Sequence, residues 1–204
     1  MSGTDSKDAM SEGKLFGMMA VQLGLFVAGG IGLWLFSGRS LADFVKLDAA
    51  GLLLGVAVGG LLIGVMATLW KVFPATGERL IRLQAPTYLE FGRPSPALIV
   101  FLSVAAGAGE EALFRGGLQT LLGDYMPIAA AIALAAAVFA IVHFAAPVVM
   151  ALIFAIGTLF GVVYDLTGSL LAVMLAHTIY DIWALRFVFT EFDRLGLYDE
   201  PPPA

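Results

Sequence analysis

Residues 125–164 read "YMPIAAAIALAAAVFAIVHFAAPVVMALIFAIGTLFGVVY", forty positions without an Asp, Glu, Lys or Arg. A helix crosses the hydrocarbon core of a bilayer with about 20 apolar residues. The run therefore holds two spans, and Pro147 marks the turn between them. Further out, Leu15–Gly38 gives 24 uncharged positions and Ala49–Trp70 another 22. Charged residues make up 13% of the 204-residue chain, against roughly 25% in a soluble domain. That is too little polar surface to cover a water-soluble globule.

The pattern predicts six segments, roughly 15–37, 49–72, 96–122, 127–146, 147–165 and 169–190. Backbone polar groups in lipid must find internal partners, and the alternation of a membrane β-barrel is absent. The expected fold is all-α, a polytopic integral membrane helical bundle of about six transmembrane helices. A single transmembrane domain, 15–190, follows a polar tail, 1–14, and precedes a Pro-rich tail, 191–204, that ends "EPPPA". The first segment is too long for a signal-peptide core and stays as a span. Residues 73–95 read as the one sizeable loop. The 24 glycines fit close helix packing in lipid.

Lys and Arg set the expected orientation. With six spans, one side receives Lys7, Lys14, Lys71, Arg79, Arg82, Arg93 and Arg194, and the other only Arg39 and Lys46. The richer side faces the cytoplasm, so both termini are expected there. The net charge of −5 argues against nucleic acid as a partner. The chain has no cysteine, which excludes disulfides, a thiolate nucleophile and Cys-based metal sites.

Seven ionisable residues remain inside the segments: Glu110, Glu111, Arg115, His143, His177, Asp181 and Arg186. Each charge at membrane depth costs at least ~2.5–3.5 kcal/mol, so such residues face the bundle interior, pair with one another and mark function. Glu111 and Arg115 are four apart, as are His177 and Asp181, and residues at that spacing meet on one helical face. Glu111 and Arg115 are thus a ready structural ion pair. Glu110 points about 100° away, free for acid–base work. If the third, fourth and sixth segments share a cavity, Glu110, His143, His177 and Asp181 converge on it. One carboxylate and one imidazole then activate water, and the second imidazole with its partner faces a developing oxyanion.

The signatures "EEALFR" (110–115), Phe139 to His143 (F-x-x-x-H) and His177 to Asp181 (H-x-x-x-N/D) occur in the order of the CPBP family. These are the CAAX-protease and bacteriocin-processing, Abi-type intramembrane proteases. The resemblance covers roughly 96–190, and "RGGLQ" after the first signature is also similar. It implies an endopeptidase acting on a membrane-associated protein or peptide, with the bilayer as its other partner. Carried over, Glu110 and His143 activate water, and His177 and Asp181 hold the oxyanion. Asp181 stands where many members have Asn, and an ionised carboxylate does not donate. It must be protonated, orient His177 or bind a metal.

Other membrane-protease chemistries fit less well. "HFAAP" and "HTIYD" are not the H-E-x-x-H that sets two metal ligands on one helical face. No G-x-S-G serine is present, and "LLGD" (121–124) lacks the glycine of an aspartyl motif. The alternative from another class is a non-catalytic scaffold or bacteriocin self-immunity protein of the same family. No cofactor is preferred; a zinc site, if there were one, would take Glu110, His143 and His177. One offset needs structural relief. At about 1.5 Å per residue His143 lies some 24 Å along its segment and His177 some 12 Å along its own.

Overall fold

The computed structural model describes residues 10–199. Among them the chain forms seven helices: α1 (Glu12–Phe36), α2 (Ala49–Val72), α3 (Pro74–Tyr88), α4 (Pro96–Gly123), α5 (Ile128–Ile141), α6 (Pro147–Thr167) and α7 (Leu170–Leu195). Within α4 the residues Ala112–Gln119 are π-helical. The tail residues 1–9 and 200–204 lie outside the described residues. Of the rest, 12–14 already belong to α1 and 191–195 to α7.

The helix starts follow from local chemistry. The side chains of Ser11, Asp48, Ser95 and Ser169 accept from the backbone N–H of Lys14, Gly51, Leu98 and Ala172, which satisfies donors a helix start leaves free. Pro74, Pro96 and Pro147 each open a helix, where a missing N–H costs nothing. Gly168 and Gly196 close α6 and α7 in the left-handed region, φ 64° and 69°.

Five helices are long and apolar enough to cross a membrane: α1, α2, α4, α6 and α7. The chain is an all-α polytopic membrane bundle. The fourth expected segment, 127–146, differs. Its helix α5 has 14 residues, a length of about 21 Å, short of the hydrocarbon thickness. The remaining positions, 142–146, form the turn that carries His143. The 73–95 segment also differs from its reading as a loop. It folds into α3, which turns Gly77, Ile81 and Ala85 inward at four-residue steps and leaves Arg79 and Arg82 exposed.

α4 is the central helix. In its most apolar window 56% of residues are buried, against 11% in α1 and 17% in α2. The pair α2–α7 packs through Gly51, Gly55 and Gly59. A Cβ on Gly55 would meet the Ala172 carbonyl oxygen at 2.8 Å, and one on Gly59 would meet that of Ala176 at 3.0 Å. Small residues at four-residue spacing bring two backbones together, the usual route to tight packing in lipid.

Polar ties mark the two ends of the bundle. At one end Glu12 accepts from the Ser95 backbone N–H at 2.5 Å, Arg93 pairs with Asp193 at 3.0 Å and Arg194 with Glu78 at 2.7 Å. At the other, Arg39 pairs with Asp124 at 2.7 Å. The start of α1, the α3 region and the end of α7 therefore share one end.

Candidate active site

The first glutamate pair sits where α4 changes from α to π geometry. Single π turns inside helices cluster at functional sites, because the extra residue re-aims side chains and frees a carbonyl. Here the Thr120 hydroxyl donates to the Arg115 carbonyl at 2.9 Å, which satisfies such a group. Glu111 and Arg115 form the expected pair, 3.0 Å apart and fully buried. Arg115 also donates to the Gly157 carbonyl of α6 at 2.8 Å, and Gln119, one turn on, donates to the Gly161 carbonyl at 2.9 Å. The guanidinium lies 4.7 Å from the centre of the Phe139 ring. A Cβ on Gly157 would stand 3.0 Å from Arg115 Nη2, so glycine is what lets α6 approach.

His177 is the junction of the cluster. Its Nδ1 donates to Glu111 Oε1 at 2.8 Å, since a carboxylate only accepts. Its Nε2 faces Asp181 Oδ2 at 3.4 Å and Glu110 Oε2 at 3.9 Å. Phe160 stacks on the imidazole at 5.4 Å. The sequence reading paired His177 with Asp181 alone. The shorter contact goes instead to Glu111, 66 positions away on another helix, so Glu111 both holds Arg115 and fixes His177.

His143 lies in the turn after α5. Its Nδ1 is 2.6 Å from the Phe139 carbonyl. A carbonyl only accepts, so Nδ1 carries the proton and Nε2 keeps its lone pair as the basic nitrogen. Phe139 bridges the offset between the two histidines. Its ring lies 4.7 Å from His143 and 6.3 Å from His177. The next residue, Phe144, takes a left-handed conformation (φ 47°), uncommon for a bulky side chain and part of the sharp turn into α6.

Glu110, His143, His177 and Asp181 line one cavity of about 580 Å³. No hydrogen bond joins Glu110 to His143 directly. The walls are mainly apolar, with Met66 and Trp70 of α2, Ile153 of α6 and Trp183 of α7. α3 supplies Leu80, Gln84 and Tyr88, a wall the sequence reading treated as a connection. Among the described residues no group of three or more His, Asp or Glu is arranged to hold a metal ion. Nδ1 of each histidine is engaged with a protein oxygen, which leaves its Nε2 open, as in a metal-binding imidazole, and Glu111 Oε1 serves Arg115.

A membrane bundle that gathers two carboxylates and two imidazoles on one apolar cavity has the groups an intramembrane hydrolase would use. Residues 92–183 match the family of type II CAAX prenyl endopeptidases, Rce1-like. The chain is 30% identical over 184 residues to the uncharacterized protein YpbD of Bacillus subtilis (strain 168), an overlap of 86% of this chain and 90% of YpbD. No solved structure matches it. The chain belongs to the Rce1-like branch of the CPBP family, the CAAX-type intramembrane endopeptidases.

Proposed function

We propose that the chain hydrolyses peptide bonds of a membrane-associated protein or peptide, with Glu110 as the general base. Glu110 takes a proton from a water that His143 Nε2 orients. The water oxygen adds to the peptide carbonyl, and the electron pair of the C=O bond moves to its oxygen beside His177. The proton then passes to the leaving nitrogen as the C–N bond breaks. Glu111 and Arg115 hold His177 in place and do not touch substrate. The metal-independent form of this reaction is preferred, because acid–base groups and a donor to the oxyanion suffice.

The observation that carries the reading is the convergence of Glu110, His143, His177 and Asp181 on one apolar cavity, from two separate helices and a turn. An apolar, partly enclosed site suits an extended chain segment from a lipid-anchored or membrane-embedded substrate. The Lys and Arg distribution supports an orientation with both termini and α3 on the cytoplasmic side, from which the substrate would reach the cavity. The test is cleavage by the reconstituted enzyme. New protein N-termini should appear in solubilised bacterial membranes with the wild type and not with Glu110→Gln. A scaffold or self-immunity protein would yield none with either.

A further inference from the structure

Asp181 creates a chemical deficit in the proposed site. The tetrahedral intermediate of peptide hydrolysis carries an oxyanion, which needs donors. Asp181, 3.4 Å from His177 Nε2, is a carboxylate and lacks the N–H donors an amide would bring to that position. Another donor in the same cavity would remove that deficit.

Tyr88, the last residue of α3, lines this cavity beside Glu110, His177 and Asp181. Its hydroxyl makes no hydrogen bond among the described residues. Burial, then the charges of Asp181 and Glu110, push that hydroxyl up to about 12. It therefore keeps its proton, and it senses both carboxylates that flank His177. The ring is anchored by aromatic neighbours, with Phe91 at 5.9 Å, Phe189 at 6.0 Å and Phe192 at 6.5 Å. The anchored ring holds the phenol in place with little rotamer freedom to lose, as preorganised stabilisation requires. α3 in turn is fixed to the end of α7 by Glu78 and Arg194.

We propose that Tyr88 is a further catalytic residue, donating its hydroxyl proton in a hydrogen bond to the substrate carbonyl oxygen as it becomes the oxyanion. This rests on the hydrolytic reading above. Water adds its oxygen to the carbonyl carbon and gives its proton to Glu110. The C=O electron pair goes to the oxygen, held by Tyr88 and His177. No proton leaves Tyr88, and the pair returns when the C–N bond breaks. Tyr88 does in this chain what an amide at position 181 would otherwise do.

The experiment uses the full chain reconstituted in liposomes. A cleavage site is first mapped as a new N-terminus absent with Glu110→Gln, and a quenched peptide covering that site then gives kcat and KM. Tyr88→Phe keeps the ring contacts and should lower kcat by roughly 10²-fold with little change in KM, the size expected for one oxyanion donor. In an Asp181→Asn background, where an amide is present, the same substitution should cost clearly less. Equal, small losses in both backgrounds overturn the role of Tyr88 while leaving Glu110 dependence intact. Absence of any Glu110-dependent cleavage overturns the hydrolytic reading and this role with it. Should Tyr88→Phe fail to fold, 3-fluorotyrosine at position 88 keeps both ring and hydroxyl. Its more acidic phenol should move the alkaline limb of the kcat profile to lower pH, and an unmoved limb contradicts the proposal.

Discussion

His177 Nδ1 and Glu111 Oε1 are 2.8 Å apart, and the same oxygen accepts from Arg115 Nη1 at 3.0 Å. One carboxylate oxygen thus ties the last motif of the chain to the first. Glu111 is wholly buried, and its Oε2 has no hydrogen-bond partner among the described residues. The pair is held by its geometry on two packed helices, α4 and α7. The carboxylate holds the proton on Nδ1 and turns Nε2 to the cavity, where it donates to an oxyanion when the ring carries its second proton.

Two substitutions separate the roles of Glu111. Glu111→Gln leaves Arg115 as an uncompensated buried cation, a loss on the order of 3 kcal/mol, but its amide oxygen still accepts from His177. Glu111→Ala loses both. Thermal unfolding in detergent should therefore drop for both variants. Activity per folded molecule should fall in the order wild type, Gln, Ala. Equal activity of the folded Gln and Ala enzymes would show that His177 needs no partner at Nδ1.

Helix α2 offers a matched pair of glycines. Gly55 faces α7, where a Cβ meets the Ala172 oxygen and Leu175 Cβ, both at 2.8 Å; Gly60 has nothing within 4 Å. Gly55→Ala should destabilise by about 1–3 kcal/mol through overpacking against backbone. Gly60→Ala should be neutral or slightly stabilising, because alanine is the better helix former. Unfolding midpoints in one detergent compare them directly, and similar losses at both positions would contradict the α2–α7 packing.

The six charged and imidazole positions of the site were legible in the sequence because lipid makes each of them expensive. Glu111 with Arg115 was legible because both lie on one helix at a fixed spacing. The Glu111–His177 contact was not. It joins residues 66 positions apart, and no periodicity encodes which face of α7 meets α4. α3 was missed for a different reason. Its first residue is Pro74 and Pro86 lies inside it, so a proline-marked polar stretch between two spans reads as a loop. Its burial of Gly77, Ile81 and Ala85 against the bundle is what makes it a helix. In sequence α5 reads as a full span because no charge interrupts 125–164. The turn at 142–146 that shortens it is made by backbone geometry around Phe144.

Orientation is open to a direct chemical test, since the chain has no cysteine of its own. Leu47→Cys lies in the exposed α1–α2 connection and Glu90→Cys in the exposed stretch after α3. A membrane-impermeant maleimide should label position 47 in intact cells and position 90 only after permeabilisation. The reverse pattern would place the termini outside.

Metal independence makes a separate prediction. Chelator-treated protein should keep its activity, and elemental analysis should find no stoichiometric zinc. Activity lost on chelation and restored by zinc alone would make Glu110, His143 and His177 ligands.

The central claim is that Glu110 is the base of a peptide hydrolase. The most direct measurement compares wild type with Glu110→Gln, both reconstituted in liposomes and both checked for folding by their unfolding midpoints. Glu110 has no direct hydrogen bond to lose and sits at 3.9 Å from His177 Nε2, so the variant should fold like the wild type. Its cleavage should fall by at least roughly 10²-fold, as removal of a general base requires. A well-folded Glu110→Gln enzyme that cleaves at the wild-type rate would contradict the account.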